Sequence, residues 1–475
     1  MAEQPGTQAN PLRVAIIGSG PSGFYAAEYL QKQPDLNVEI DMYDRLPTPF
    51  GLVRGGVAPD HPKIKTVTKV YDKTASDPRF RFYGNVELGR HITHDDLLNH
   101  YHQIIYAVGA QTDRQMGIPG EELPGSYPAT EFVGWYNAHP DYRDLTFDLS
   151  QERVAVVGNG NVAMDVARIL ASTEAELAVT DIADYALEAL RHSSVREIYV
   201  LGRRGPAQAA FTNPEIRELG DLTDAEVVIA PDEIELDPLS AAALALDNDR
   251  TADRNVQTMT RFSYQGEQGK PRKIIFRFLV SPVEILGTDH VEAIKLVRNE
   301  LYQAEDGSLR ARPTNEMETI PVGLVFRSIG YQGVALPDVP FDARKGIIPN
   351  AAGRVIDPLR NETRTGEYVV GWIKRGPTGI IGTNKPDSQA TAMAMLEDRA
   401  EGKTLTPAEP ARDAMERLLV ERQPALVTFA DWQVIDQIEQ ERGQAAGRPR
   451  LKFSRVDEML RLLAERKQQP NPTGD

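Results

Sequence analysis

Gly18, Gly20 and Gly23 stand in the string Gly-Ser-Gly-Pro-Ser-Gly, directly after the apolar run Val14 to Ile17. The spacing G-x-G-x-x-G suits the binding of a pyrophosphate. The first glycine allows a tight turn, the second lets backbone N–H groups approach the phosphates, and the third lets the next helix pack against the strand. That helix, expected from Phe24 to Gln33, would aim the positive end of its dipole at the anion. A second strand, Val38 to Tyr43, ends at Asp44, twenty-one residues after Gly23. A carboxylate there accepts from a ribose 2′-hydroxyl and repels a 2′-phosphate. Together these parts predict a site for an unphosphorylated adenosine dinucleotide, FAD or NAD.

The pattern restarts at Arg153. Val154 to Val157 is again apolar, and Gly158-Asn159-Gly160-Asn161-Val162-Ala163 is the variant with alanine in third place. The next strand, Glu197 to Leu201, ends in Gly202-Arg203-Arg204-Gly205 where an acid would otherwise stand. Two guanidiniums suit the 2′-phosphate of NADP; the plain alternative is a solvated basic turn. Two sites of different selectivity point to FAD held permanently and NADP(H) arriving and leaving. Hydride transfer from nicotinamide to flavin is the chemistry they share.

The elements that must hold these residues read as α/β, with two Rossmann-like dinucleotide-binding domains and the NADP domain inserted into the FAD domain. The expected boundaries are 1–111 with 338–475 for FAD, and 112–337 for NADP. Residues 80–88, 103–108 and 324–328 read as strands, and 95–102 as a helix. Ile329-Gly330-Tyr331 reads as a hinge, and 337–366 as loop. From Glu367 a strand leads into a glycine-rich loop and a helix beginning near Asp387, whose amides would face the flavin's pyrimidine edge. The proline- and glycine-rich stretch 46–65 offers Phe50, Leu52 and Val53 to a flat ring, and Arg54 and Lys63 to phosphate or carboxylate; the alternative is a packed structural loop. Pro410 to Gln423, Asp431 to Arg442 and the run from Met459 read as a helical tail packed on the flavin domain.

Composition sets the outer bounds. The chain has 475 residues and no cysteine, which removes disulfides, thiolate metal sites and dithiol redox pairs together. A net charge of −16 argues against nucleic-acid binding. No apolar run approaches a membrane span, and the first eleven residues carry no secretory pattern, so a cytoplasmic protein without integral membrane association is expected. His91, His94, His100 and His102 lack the spacing of metal ligands, and no metal is assigned.

The strings GSGPSGFYAAEYL, PFGLVRGGVAPDHPKIK, RFYGNVELGR, FVGWYNAHP, GNGNVAMDVARIL, LGRRGP, AAFTNPEIREL and GWIKRGPTGIIGTN resemble the adrenodoxin reductase family, the FAD-containing NADPH–ferredoxin reductases of mitochondria and actinobacteria. The resemblance runs from about Arg13 to the C-terminus and is weakest around 235–315. It implies that Ser22, Asp44, Leu52 and Val86 hold the flavin adenosine. The isoalloxazine would lie against Trp372 and the backbone of Gly379, Ile380 and Ile381. The family commonly has Glu where this chain has Asp44. NADP would rest on Asn159, Asn161 and Val162, with Arg203 and Arg204 on its 2′-phosphate and Glu215 on the nicotinamide carboxamide. His61 and Asp165 match positions proposed to assist proton movement. Each has a structural alternative: loop fixing for His61, dipole stabilisation for Asp165, a surface acid for Glu215 and core for Trp372.

Without a dithiol, reduced flavin would release electrons singly to a docked iron–sulfur protein. Two-electron intake from NADPH followed by two one-electron transfers to ferredoxin is therefore the expected activity. An acidic ferredoxin would dock on a local basic surface, with Arg217, Arg250, Arg254 and Arg261 as candidates. An NADPH diaphorase, quinone reductase or electron-input flavoprotein is the alternative enzyme. A flavin- and NADP-binding redox sensor is the alternative without turnover.

Overall fold

The computed structural model describes residues 4–247 and 249–468. The far ends of the expected FAD domain, residues 1–3 and 469–475, therefore lie outside the described residues. The chain forms two compact units: residues 1–57, 61–112 and 331–475 in the first, and 58–60 and 113–330 in the second.

The first unit is built on a seven-stranded sheet. The middle of its five parallel strands is Leu12–Ile17, every residue of which is buried. It pairs in parallel with Val38–Tyr43 on one side and Gln103–Tyr106 on the other. Phe80–Tyr83 extends the sheet in parallel beyond Val38–Tyr43, and Glu362–Val369 extends it beyond Gln103–Tyr106. The near-continuous apolar runs follow from burial on both faces, as helix-covered parallel strands require. The return segment 337–366, read from its prolines and charges as loop, instead contains the short strands Asn350–Ala351 and Arg354–Asp357 and the start of Glu362–Val369. These form an antiparallel edge, a pairing that local composition does not reveal.

Helices cover this sheet. Pro21–Gln31 begins within the glycine string, three residues before the expected Phe24, with proline in its first turn. Asn384–Ala400 starts three residues before the expected Asp387. The tail helices Arg412–Arg422, Phe429–Ala445 and Val456–Gln468 belong to the same unit. Trp432, Ile435, Met459 and Leu463 share one core with Val14, Ile16 and Phe24.

The second unit repeats the logic with six parallel strands, in the order Ser126–Pro128, Leu324–Arg327, Arg153–Val157, Glu197–Leu201, Arg272–Arg277, Ala225–Val228. An antiparallel sheet of Val280–Leu286, Ala293–Gln303 and Leu309–Pro321 accompanies it. The helix Arg250–Gln265 buries Asn255, Met259 and Phe262. Among the described residues no helix is long and apolar enough to cross a membrane.

Candidate functional site

In each unit the central strand separates a neighbour that follows it in sequence from one that arrives much later. That reversal opens a crevice at the carboxyl ends of the strands, where open α/β sheets bind ligands. Both glycine loops lie there. In the first unit a Cβ on Gly18 would meet the Ala107 carbonyl at 2.6 Å, just past the neighbouring strand. In the second a Cβ on Gly158 would strike the Ser328 carbonyl. Gly18 and Gly158 have φ of 104° and 122°, where side chains are strained, so both demands point to glycine.

The remaining glycines divide the work. Nothing lies within 4 Å of a Cβ built on Gly20 or Gly160, which leaves open space beside each helix start. A Cβ on Gly23 would meet the Gly18 carbonyl at 2.7 Å and Ile16 at 3.2 Å, so the third glycine serves close packing. Ala163, its counterpart, is buried in the second core. Neither Pro21–Gln31 nor Asn161–Ala171 has a side-chain cap, so the amides of both first turns face that space uncapped.

Asp44 follows the strand Val38–Tyr43 and is half-buried. One oxygen accepts from the Ser19 N–H at 3.1 Å and from the Ser19 hydroxyl, and the other from the Leu46 N–H at 2.9 Å. A carboxylate has about four acceptor positions, so roughly one remains for an outside hydroxyl. Burial raises its pKa, opposed first by the Ser19 hydroxyl bond. Ser22 is buried, and a Cβ on Gly371 (φ 74°) would strike its hydroxyl. The Gly371 N–H donates to Asp387 at 2.7 Å, and Asp387 also holds Lys374 at 2.9 Å.

Next to Gly371, Trp372 is half-buried, 5.3 Å from the Tyr331 ring between centroids. Its indole Nε1 is buried without a hydrogen-bond partner among the described residues. Such a donor is costly unless something outside the protein accepts from it. Gly379 is exposed with φ of 80°, Ile380 is 56% exposed, and Ile381 packs on the first unit's core. Val86 is buried, and its N–H donates to the Asp44 carbonyl at 2.9 Å. Leu52 is half-buried. His61 is half-buried and precedes the short helix Pro62–Lys65, without a side-chain cap bond.

Three loop residues behave otherwise than their types imply. Phe50 and Val53, read as ring contacts, are core: Phe50 packs among Phe24, Tyr71 and Trp432. Arg54, read as a phosphate or carboxylate partner, is bound to Glu439 within the protein. The loop's apolar character thus comes from its own packing.

In the second unit, Arg203 is exposed and Arg204 half-buried, just past the strand Glu197–Leu201. Neither side chain makes an ion pair among the described residues. Burial, and then the neighbouring Arg203 charge, lower the Arg204 pKa. Two uncompensated guanidiniums side by side are unfavourable alone and favourable once an anion joins them. Their backbone is held: the Arg203 carbonyl accepts from Asn299 at 2.9 Å and the Arg204 carbonyl from the Leu279 N–H at 3.1 Å. Asn161 accepts from the Thr212 N–H at 2.8 Å, and the Asn159 carbonyl from the Ala210 N–H at 3.1 Å. Val162, half-buried, packs on the core.

Asp165 and Glu215 converge on one cation. Arg168, 3% exposed, donates to Asp60 at 2.6 and 3.1 Å, to Asp165 at 2.7 Å and to Glu215 at 3.3 Å. The surrounding carboxylates raise its pKa against the opposing effect of burial. Sequence reasoning missed Arg168, Asp60 and Ser19. The signal for Arg168 was present: an arginine between Val166, Ala167, Ile169 and Leu170 on an apolar helix must bring its own counter-charges.

Comparison with known proteins agrees with this architecture. Residues 12–200 match the family model of the pyridine nucleotide-disulphide oxidoreductases. The chain is 49% identical to NADPH-ferredoxin reductase FprA of Mycobacterium tuberculosis, over 95% of this chain and 99% of that one. It is 42% identical to mitochondrial NADPH:adrenodoxin oxidoreductase of Salvelinus fontinalis, over 96% and 92%. The solved structure of M. tuberculosis FprA in complex with NADPH superposes with a TM-score of 0.90 at 48% identity, covering 96% of this chain and all of the other. By near-full-length identity and fold, this chain belongs to the family of NADPH-ferredoxin reductases that includes FprA and mitochondrial NADPH:adrenodoxin oxidoreductase.

Proposed function

We propose that this protein is a flavoprotein oxidoreductase that takes a hydride from NADPH onto FAD and passes single electrons to a ferredoxin-type iron–sulfur protein. The observation that carries it is the pair of glycine loops at two strand-order reversals, one followed by Asp44 and the other by Arg203 and Arg204. FAD belongs on the first unit and NADP(H) on the second. FAD, when bound, supplies the step between two-electron and one-electron chemistry.

The chain's own residues bind and orient. The first-turn amides beside Gly20 and Gly160 meet pyrophosphates, and the last acceptor position of Asp44 takes a ribose hydroxyl. Ser22, Leu52 and Val86 line the adenosine side. Trp372 and the backbone of Gly379, Ile380 and Ile381 border the flavin ring, which gives the buried indole N–H a use. Asn159, Asn161 and Val162 frame the second nucleotide, and Glu215 reads its carboxamide. His61 and Asp165 are assigned to proton movement. Although the matching family model carries disulphide in its name, this chain has no cysteine, so its electrons leave without a dithiol relay.

The partner is a ferredoxin meeting a local basic surface. Arg250, Arg254 and Arg261 share the exposed side of the helix Arg250–Gln265, and Arg217 is exposed nearby in sequence. None of the four forms an ion pair among the described residues, so their charge is available to an acidic partner in spite of the overall −16. A cytoplasmic setting belongs to the same reading and suits a cysteine-free chain.

Anaerobic titration of the yellow protein with NADPH, followed by cytochrome c reduction with and without ferredoxin, tests this. NADPH bleaches the flavin and ferredoxin stimulates cytochrome reduction. Rapid dye or quinone reduction without ferredoxin stimulation identifies a diaphorase instead. Binding of NADPH without bleaching identifies a sensor.

A further inference from the structure

Four carboxylates face the Arg168 guanidinium, from three separate segments: Asp60 in the short segment 58–60, Asp165 one turn earlier on the same helix, and Glu215 and Glu218 on the helix Asn213–Glu218. The planar fork divides its directions among them. Nε and Nη2 take both oxygens of Asp60, and Nη2 also takes Asp165. That leaves Nη1 for Glu215 at 3.3 Å, with Glu218 at 3.9 Å. A lysine ammonium is one centre on a shorter reach and does not span these groups.

The same short helix is tied to the nucleotide loop at its other end. Asn161 accepts from the Thr212 N–H, and the Asn159 carbonyl from the Ala210 N–H. Glu215 is therefore set against the Gly158–Ala163 loop by the Asn161 side chain and one backbone bond on one side, and by Arg168 on the other. Glu215 is 8% exposed, and Arg168 supplies a full positive charge that pairs its buried carboxylate beside three like charges.

We propose that Arg168 is a positioning residue for nicotinamide recognition: it holds the Glu215 carboxylate at the carboxamide-reading position without touching the nucleotide. The proposal rests on the reading of the second unit as the NADP(H) unit. Its signature is a split between the two halves of the ligand. The nicotinamide half depends on Arg168, and the 2′-phosphoadenosine half, read by Arg203 and Arg204, does not.

The test is calorimetric titration of the FAD-loaded protein with NADP⁺ and with adenosine 2′,5′-bisphosphate, which lacks the nicotinamide half. Arg168→Lys weakens NADP⁺ binding about tenfold, as expected for one lost charge-assisted bond, and the bisphosphate less than about twofold. Asp60→Asn combined with Arg168→Lys reduces the anionic surplus and gives the same split if the single variant does not fold. Equal weakening of both ligands, or weakening of neither, overturns the positioning role. Failure of the wild-type protein to bind either ligand overturns the NADP(H) reading, and this proposal with it.

Discussion

Arg54 and Glu439, 385 positions apart in sequence, meet in a two-bond salt bridge of 2.7 and 2.5 Å, with the guanidinium 5.0 Å from the centre of the Trp432 ring. Glu439 is fully buried and also accepts from the Phe453 N–H at 2.8 Å and from Arg450 at 3.3 Å. The bridge fastens the loop that presents Leu52 to the helical tail. Glu439→Ala leaves the Arg54 charge buried and unpaired, and such losses cost roughly 3–5 kcal/mol. Denaturant midpoints measure it, and flavin content after gel filtration falls alongside. An unchanged midpoint contradicts the structural weight given to the pair.

The paired arginines make a selectivity prediction. Replacing Arg203 and Arg204 together by alanine raises KM for NADPH roughly tenfold or more and that for NADH less than about twofold. Steady-state rates with the two coenzymes decide it, and equal effects refute the 2′-phosphate assignment.

Asp44 ties the glycine loop to the proposed ribose position through Ser19. Asp44→Ala removes the acceptor of the Ser19 N–H as well as the proposed hydroxyl contact, so flavin is lost on dialysis. Asp44→Glu preserves the acceptor and retains flavin. The absorbance ratio at flavin and protein wavelengths reads the outcome, and full flavin content in the alanine variant removes the ribose role.

His102 supplies an acid-sensitive position in the first unit. It is buried, its Nδ1 accepts from the Arg13 N–H at 3.0 Å, and burial lowers its pKa to about 4, helped by the Arg13 charge. The unfolded chain therefore binds a proton below about pH 6.5 that the folded chain refuses. Stability from this group is complete above that pH and is lost as pH falls from about 6.5 towards 4. His102→Asn keeps an acceptor and does not titrate, so its melting temperature falls less steeply across that window. Parallel pH profiles for the two proteins rule the contribution out.

The positions that sequence made legible are those where backbone geometry dictates residue type. Gly18, Gly23 and Gly158 announce themselves because a carbonyl approach or a positive φ leaves no alternative, and Gly20 and Gly160 because the space beside each helix start must stay open. The strand Glu197–Leu201 falls where its apolar run places it, with both arginines just beyond. What stayed hidden depends on partners distant in the chain. Nothing around Arg54 reveals Glu439, and nothing around Phe50 reveals Trp432, so of the two readings of this loop, ligand surface or packed structure, Phe50 and Val53 follow the second. Arg168 was passed over for a related reason: its carboxylates come from three segments whose convergence only the fold supplies. The strands at 350–357 were missed because edge pairing needs little local propensity.

The strand Glu362–Val369 completes a sheet begun near the N-terminus, and the Tyr106 hydroxyl reaches its acceptor Glu367 only 261 positions later. At ribosomal speeds of 5–20 residues per second, that interval leaves the Gln103–Tyr106 edge open for roughly 13–50 s. The nascent polypeptide thus carries an unfinished hydrogen-bonding border through most of its synthesis, a target for chaperones and for mispairing with neighbouring nascent chains. The second unit, whose last strand Leu324–Arg327 precedes the return, can mature while the first still waits for its missing member. Completion of the first unit's sheet accordingly comes late in synthesis.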